Sequence, residues 1–310
     1  MRSHILDTLF ARMGQNDDLF FLTADMGINL VERFQEAYPG RFLNVGIAEQ
    51  NMIGITGGLA NLGYRPFAYT ISNFLIARAL EQVRNDIAIH GHPVVLLGIG
   101  TGYDNSPLAP THHVLDDWGM IKAMPGFEIY CPSSIAHAAG LLDRLIAGNK
   151  PAYVRIPKST FKEPASGDDY VHLPGDGGVL LVSYGNLAQE CLKARERHPE
   201  TAVLVCNQLH PLAEQPLAGL LASHRHVIVV EDHFAATGMF SSVCEFAQRH
   251  GLQPRIHSLA PTEYLLDVGK SAAYYHQRLG LDAEGILKAI HALDAMPPRL
   301  QKPPEAEENL

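Results

Sequence analysis

No run of lysine and arginine interrupts the 310 residues, whose formal net charge is −9. The electrostatic footprint of a nucleic-acid or anionic-membrane partner is missing, so small molecules and proteins are the expected partners. No uninterrupted apolar stretch reaches the ~18 residues of a membrane-spanning helix. Cysteine is scarce. Cys131, Cys191, Cys206 and Cys244 are scattered without a C-x-x-C pair, each in or near an apolar stretch where a small buried thiol fits. That pattern excludes a disulfide framework and points to a reducing compartment. The first residues carry apolar side chains at helical spacing (Ile5, Leu6, Leu9, Phe10, Met13) in place of a secretory apolar block. The expected location is the cytoplasm. No internal repeat of solenoid period is present.

What is present is the balance of a soluble globular protein, 46% hydrophobic and 18% charged, long enough for two cores. Short apolar runs at 19–25, 42–46, 66–71, 93–100, 127–133 and 152–156 alternate with helical patterns. Alternation of this kind predicts an α/β fold with a largely parallel sheet covered on both faces. Residues 157–177 are rich in Pro, Gly, Ser and Asp and have no sustained period, so they read as a linker. A second series of strands follows at 178–185, 201–208, 226–232 and 254–260. The expected organisation is a first domain over 1–156, the linker, a second domain over 178–294, and a Pro/Glu-rich, disordered tail over 295–310.

The most informative stretch is NVGIAEQNMIGITGGLANLGYRPFAYTISNFLIARALEQVRND (44–86), which sets Glu49 at the start of a Gly/Ala-rich helix directly after a buried strand. Ligands of open parallel sheets bind at that edge. An isolated glutamate there does no more than suit the positive end of its helix. The run closely resembles, however, the pyrimidine-binding domain of transketolases and 1-deoxyxylulose-phosphate synthases, and the resemblance extends over nearly the whole chain. It implies thiamine diphosphate as cofactor, with Glu49 against its aminopyrimidine ring. A carboxyl group bonded to the ring nitrogen favours the tautomer in which the cofactor's exocyclic nitrogen takes a proton from the reacting carbon. The same resemblance puts Phe74 at the position that stacks on the pyrimidine, its alternative being a core phenylalanine. It also puts Asp25 beside the cofactor where two subunits meet or, alternatively, as a helix cap.

A second segment, APTHHVLDDWGMIKAMPGFEIYCPSS (109–134), resembles the family's Pro-Thr-His element. His112 falls on the substrate-facing histidine, which would hydrogen-bond donor oxygens and steady a developing alkoxide. His113 supports the loop, and Asp116 and Asp117 order it. His90 and His92 lack a third ligand and read as structural. Departures from the family are equally informative. Leu108 stands where a sugar-reading aspartate is usual, Gly100 where a basic residue meets substrate phosphate, and Ile28 where a serine does so. Arg155 is left as the candidate for an anionic substrate group. The expected substrate-binding set is therefore His112, Arg155 and Leu108, and the expected substrate lacks the standard sugar-phosphate pattern.

The family's diphosphate domain carries Gly-Asp-Gly and a downstream Asn. Gly175-Asp176-Gly177 and Asn207 offer that pattern here, but ahead of a strand and not after one, so no metal site is assigned to this chain. The chain has no room for a third domain, which implies a partner subunit holding the diphosphate and Mg²⁺, and assembly as a heterotetramer. The segment VVEDHFAATGMFSSV (229–243), with its pair Asp232-His233, resembles the family's structural C-terminal domain, and His233 is assigned no catalytic role. Two other readings stand beside this one: the beta subunit of a 2-oxo acid dehydrogenase, and a non-catalytic scaffold of the same fold.

Overall fold

The computed structural model describes residues 1–159 and 169–294. The expected disorder of 295–310 and the middle of the expected linker lie outside the described residues.

The first domain begins with α1 (Arg2–Met13), which buries Ile5, Leu6, Leu9 and Met13, and continues through β1 (Leu19–Thr23), α2 (Glu32–Ala37), β2 (Phe42–Asn44), α3 (Glu49–Asn61) and β3 (Arg65–Ile71). A long helical segment follows, two π-helical turns (Phe74–Arg78 and Val83–Ala88) flanking α4 (Leu80–Gln82). Then come β4 (Val95–Ile99), α5 (Asp117–Lys122), β5 (Glu128–Tyr130), α6 (Ile135–Ala147) and β6 (Ala152–Ile156). The second domain holds β7 (Tyr170–Leu173), β8 (Val179–Ser183), α7 (Ala188–Arg197), β9 (Ala202–Cys206), β10 (Gln208–His210), α8 (Glu214–Ser223), β11 (His226–Val230), α9 (Met239–Arg249), β12 (Arg255–Leu259), α10 (Ala272–Leu279) and α11 (Ala283–Asp294).

Two sheets result, ordered β10-β5-β6-β4-β3-β1-β2 and β12-β11-β8-β9-β7. Every pairing is parallel except those of the terminal strands β10 and β7. The strands are apolar along their length because both faces are covered. Phe21, Phe67, Val95 and Val154 point into one core with α1 and α6. Leu22, Ala68, Leu96 and Tyr153 point into the other, which runs on without a break to Leu180, Val182 and Val229 of the second domain.

Two expectations need correction. The linker drawn over 157–177 contains β7, which pairs Val171 with Val205 and closes the second sheet. The strand drawn over 201–208 is two strands broken at the buried Asn207. Its carbonyl accepts from the Cys131 amide at 2.8 Å and its side-chain oxygen from the Ser133 amide at 3.0 Å. The chain turns there, and β10 joins the first domain's sheet beside β5.

Candidate active site

Strands β4, β3, β1 and β2 are neighbours, so their C-terminal ends form one edge. The loops leaving that edge carry residues 100–112, residues 72–74, Asp25 and Glu49. Glu49 opens α3 with its carboxylate only 2% exposed, and Arg78 donates to its Oε2 from Nη1 at 2.6 Å. The same guanidinium lies over Phe74, with Cζ 4.5 Å from the ring centroid. Phe74 in turn meets the His112 ring edge-on at 5.1 Å. Asn73 Nδ2 donates to the Thr111 carbonyl at 2.9 Å, and the Thr111 hydroxyl shares a 3.0 Å hydrogen bond with His112 Nδ1. The structure thus brings Glu49, Phe74 and His112 into one connected group, with Phe74 and His112 half-buried.

Local backbone explains the arrangement. Phe74 and Arg78, four residues apart on a π-helical turn, lie on about the same side of the helix, and such turns recur at functional sites. The non-glycine residues with positive φ among the described residues are Asp25, Asn29 and Ala109, all in loops at this edge. Strain of that kind gathers where surrounding structure holds a functional geometry. Asp25 is exposed, its amide donating to the Asn44 side chain at 3.0 Å. It does not cap α2, which begins seven residues later at Glu32 after Val31. Arg78 and Asn73 escape sequence reasoning, although both lie within the 44–86 motif. The available signal is the four-residue spacing from Phe74 to a cation.

The substrate-facing set divides. Leu108 and Ile28 are 57% and 76% exposed, offering apolar surface at the edge. At Gly100 a side chain is disfavoured: φ is +84°, and a Cβ would approach Asn105 Nδ2 to 2.5 Å. Arg155 requires correction. It is fully buried, donates to both Asp117 carboxylate oxygens at 2.8 and 3.0 Å, and reaches the Val114 carbonyl at 3.1 Å. The face of β6 that carries it is covered by α5 and the second domain, including the Tyr184 ring. A substrate anion would have to break a buried bidentate ion pair to reach it. Asp117, which also accepts from the Tyr153 hydroxyl at 2.6 Å, is structural, and Asp116 accepts from the Tyr264 hydroxyl. His113 is buried edge-on against the mutually stacked Tyr103 and Tyr275, where desolvation lowers its pKa. His90 and His92 stack on each other at 5.2 Å.

A buried carboxylate beside a half-buried aromatic face is the donor set an aminopyrimidine needs, so Glu49 and Phe74 fit that half of thiamine diphosphate. Gly175-Asp176-Gly177 lies between β7 and β8 at the opposite end of a strand from any such edge. The Gly177 amide donates to the Glu200 carbonyl at 2.8 Å, and a Cβ at Gly175 would come within 2.3 Å of that oxygen. Close backbone packing accounts for these glycines. No group of three or more His, Cys, Asp or Glu side chains arranged to hold a metal lies among the described residues.

Residues 1–163 match the family model "Transketolase, pyrimidine binding domain", and residues 171–286 match "Transketolase, C-terminal domain". One of the subunits of the apulose-4-phosphate transketolase of Actinobacillus succinogenes is 31% identical over 274 residues, covering 84% of this chain and 87% of the relative. The protein of the same name from Phocaeicola vulgatus is 28% identical, covering 93% and 95%. A solved structure described as a split gene transketolase, inactive beta4 tetramer, superposes with a TM-score of 0.83 at 23% identity, covering 94% of this chain and 97% of that one. The chain belongs to the transketolase family, of which it holds the pyrimidine-binding and C-terminal domains.

Proposed function

We propose that this chain is one subunit of a thiamine-diphosphate-dependent, transketolase-like transferase. It moves a ketol or acyl unit from a donor ketone or 2-oxo acid to an aldehyde or ketone acceptor. A second polypeptide carries the diphosphate-binding domain with its Mg²⁺, and the two assemble as a cytoplasmic heterotetramer. The observation that carries this reading is the connected group Glu49, Phe74 and His112 at one strand edge. The relatives that are themselves single subunits of a transketolase support the division between two chains, and they favour transketolase over a 2-oxo acid dehydrogenase.

Bound thiamine diphosphate supplies the nucleophilic carbon and the electron sink for carbon–carbon cleavage. Glu49 would hold the pyrimidine ring nitrogen through one shared hydrogen bond, which favours the tautomer whose exocyclic nitrogen takes up a proton. Phe74 fixes the ring plane. His112, steadied through Thr111 and Asn73, donates to a substrate oxygen as negative charge develops there. Asp25 faces the cofactor from the boundary with the second polypeptide. With Arg155 withdrawn, Gly100 without a side chain, and Leu108 and Ile28 apolar, this chain offers few contacts to a sugar phosphate. Each missing hydrogen bond costs ~1–3 kcal/mol of recognition.

Calorimetry with Mg²⁺ and thiamine diphosphate tests the reading. The chain alone binds weakly and the reconstituted complex tightly; tight Mg²⁺-dependent binding without a partner would refute the two-chain assignment. In the complex, Glu49→Gln slows exchange of the cofactor's C2 proton by ~10²–10⁴-fold. An unchanged exchange rate removes Glu49 from the mechanism. Steady-state kinetics should favour unphosphorylated ketoses or 2-oxo acids over xylulose 5-phosphate, and the reverse order would overturn the reading of Leu108, Gly100 and Ile28 and make the enzyme an ordinary transketolase divided in two.

A further inference from the structure

Arg78 makes, by itself, both of the contacts assigned above to the cofactor ring. Its planar guanidinium lies over Phe74, and the same group donates to Glu49 at 2.6 Å. The reason is electrostatic. A carboxylate 2% exposed is costly unless paired, and this chain offers it one flat cation. The side chain of Arg78 is itself 43% exposed, so it enters from the rim with its stem still in contact with solvent. One face of Phe74 cannot carry two planar groups at once, so a ring stacked there has to displace the guanidinium that also holds Glu49.

We propose that Arg78 is a stand-in for the aminopyrimidine: it fills the ring's slot in the cofactor-free chain and swings out to solvent when the cofactor enters. The proposal rests on the assignment of Glu49 and Phe74 to the cofactor. It makes Arg78 a residue that sets cofactor affinity and loading, with no contact to the reacting atoms. Before loading, the arginine keeps the buried carboxylate compensated and the aromatic face covered. Loading exchanges one stacked, hydrogen-bonded planar group for another, so the observed affinity is the difference between the two.

The test is titration of thiamine diphosphate with Mg²⁺ into the complex reconstituted with its diphosphate-binding partner, comparing the unmodified chain with Arg78→Ala and Arg78→Lys. Removing the stand-in should tighten binding roughly ten-fold, the combined scale of a partly exposed ion pair and a cation–π contact. Arg78→Lys, which keeps the charge and loses the flat face, should fall between. Millimolar guanidinium chloride, far below denaturing concentration, should refill the slot in Arg78→Ala. It should weaken cofactor binding back toward the unmodified value while leaving the unmodified complex unaffected. If Arg78→Ala and Arg78→Lys bind the cofactor as the unmodified chain does, or more weakly, Arg78 is a fixed support and the stand-in is wrong. If the unmodified complex binds no thiamine diphosphate at all, the functional assignment fails, a different result from either.

Discussion

Of the arginines that meet carboxylates in the first domain, two are placed where their surroundings give them opposite uses. Arg78 reaches Glu49 from the rim, whereas Arg155 and Asp117 are both fully buried and locked in two hydrogen bonds. Breaking such a pair by removing one partner leaves an uncompensated buried charge, which costs ~3–5 kcal/mol. Arg155→Ala should therefore lower stability by that amount in chemical denaturation, with the KM for an anionic substrate unchanged in whatever enzyme remains folded. A variant of unchanged stability and raised KM would return Arg155 to the substrate. The residue type was legible in the sequence and its direction was not. Strand alternation puts Val154 and Ile156 on one face and Arg155 on the other, but it does not reveal that a second domain covers that other face. That Glu49, Phe74 and His112 lie together was legible because each stands in a motif placed just after a strand end. Arg78 carries no such marker beyond its four-residue spacing from Phe74, which gains meaning on the folded π-helical turn.

Among elements, each apolar run read as a strand contains one, most within a residue or two of the expected limits, although β5 ends at Tyr130 and the run over 201–208 divides; strands buried on both faces leave an uninterrupted apolar signal. The two terminal antiparallel strands were missed. β7 is four residues long with only Val171 buried, and β10 is three residues long with only Leu209 buried, too little pattern to rise above loop composition. The break between β9 and β10 depends on Asn207, whose oxygen takes the Ser133 amide while its own amide donates to the Asp169 carbonyl at 2.7 Å. Asn207→Ala leaves the buried Ser133 amide without that acceptor, at ~1–3 kcal/mol. The expected readout is faster hydrogen exchange at Ser133 and along β10, with β8 and β11 unaffected. Uniform acceleration across both sheets would mean that Asn207 is not a local joint.

Across the whole molecule, two buried groups close together in sequence titrate in opposite senses. Burial raises the Glu231 pKa from 4.5 to about 7 against the opposing pull of the Phe240 and Met239 amides, while burial lowers that of His233 from 6.5 to about 4, opposed by Asp117. A raised folded pKa means that Glu231's contribution is complete below pH 4.5 and lost as pH rises toward 7. A depressed one means that His233's contribution is complete above pH 6.5 and lost as pH falls toward 4. Each is worth up to ~3 kcal/mol by linkage. In the interval between, the two slopes cancel, so Tm should vary little from about pH 5 to about pH 6.5 in the unmodified chain. Glu231→Gln should uncover a Tm that falls with acid, and His233→Gln one that falls with base; parallel profiles for both variants would show that neither group titrates there. His233 packs on Trp118 and near Asp117, so these charges report on the junction of the two domains. That junction is a continuous core sealed by β10, a strand which the second domain contributes to the first domain's sheet. Were coding sequence divided just ahead of β7, β5 would present a bare row of amides and carbonyls, an invitation to pair with the wrong chain. The two domains therefore finish one another's surfaces, and neither, cut from the other, would keep a complete sheet edge and a covered core.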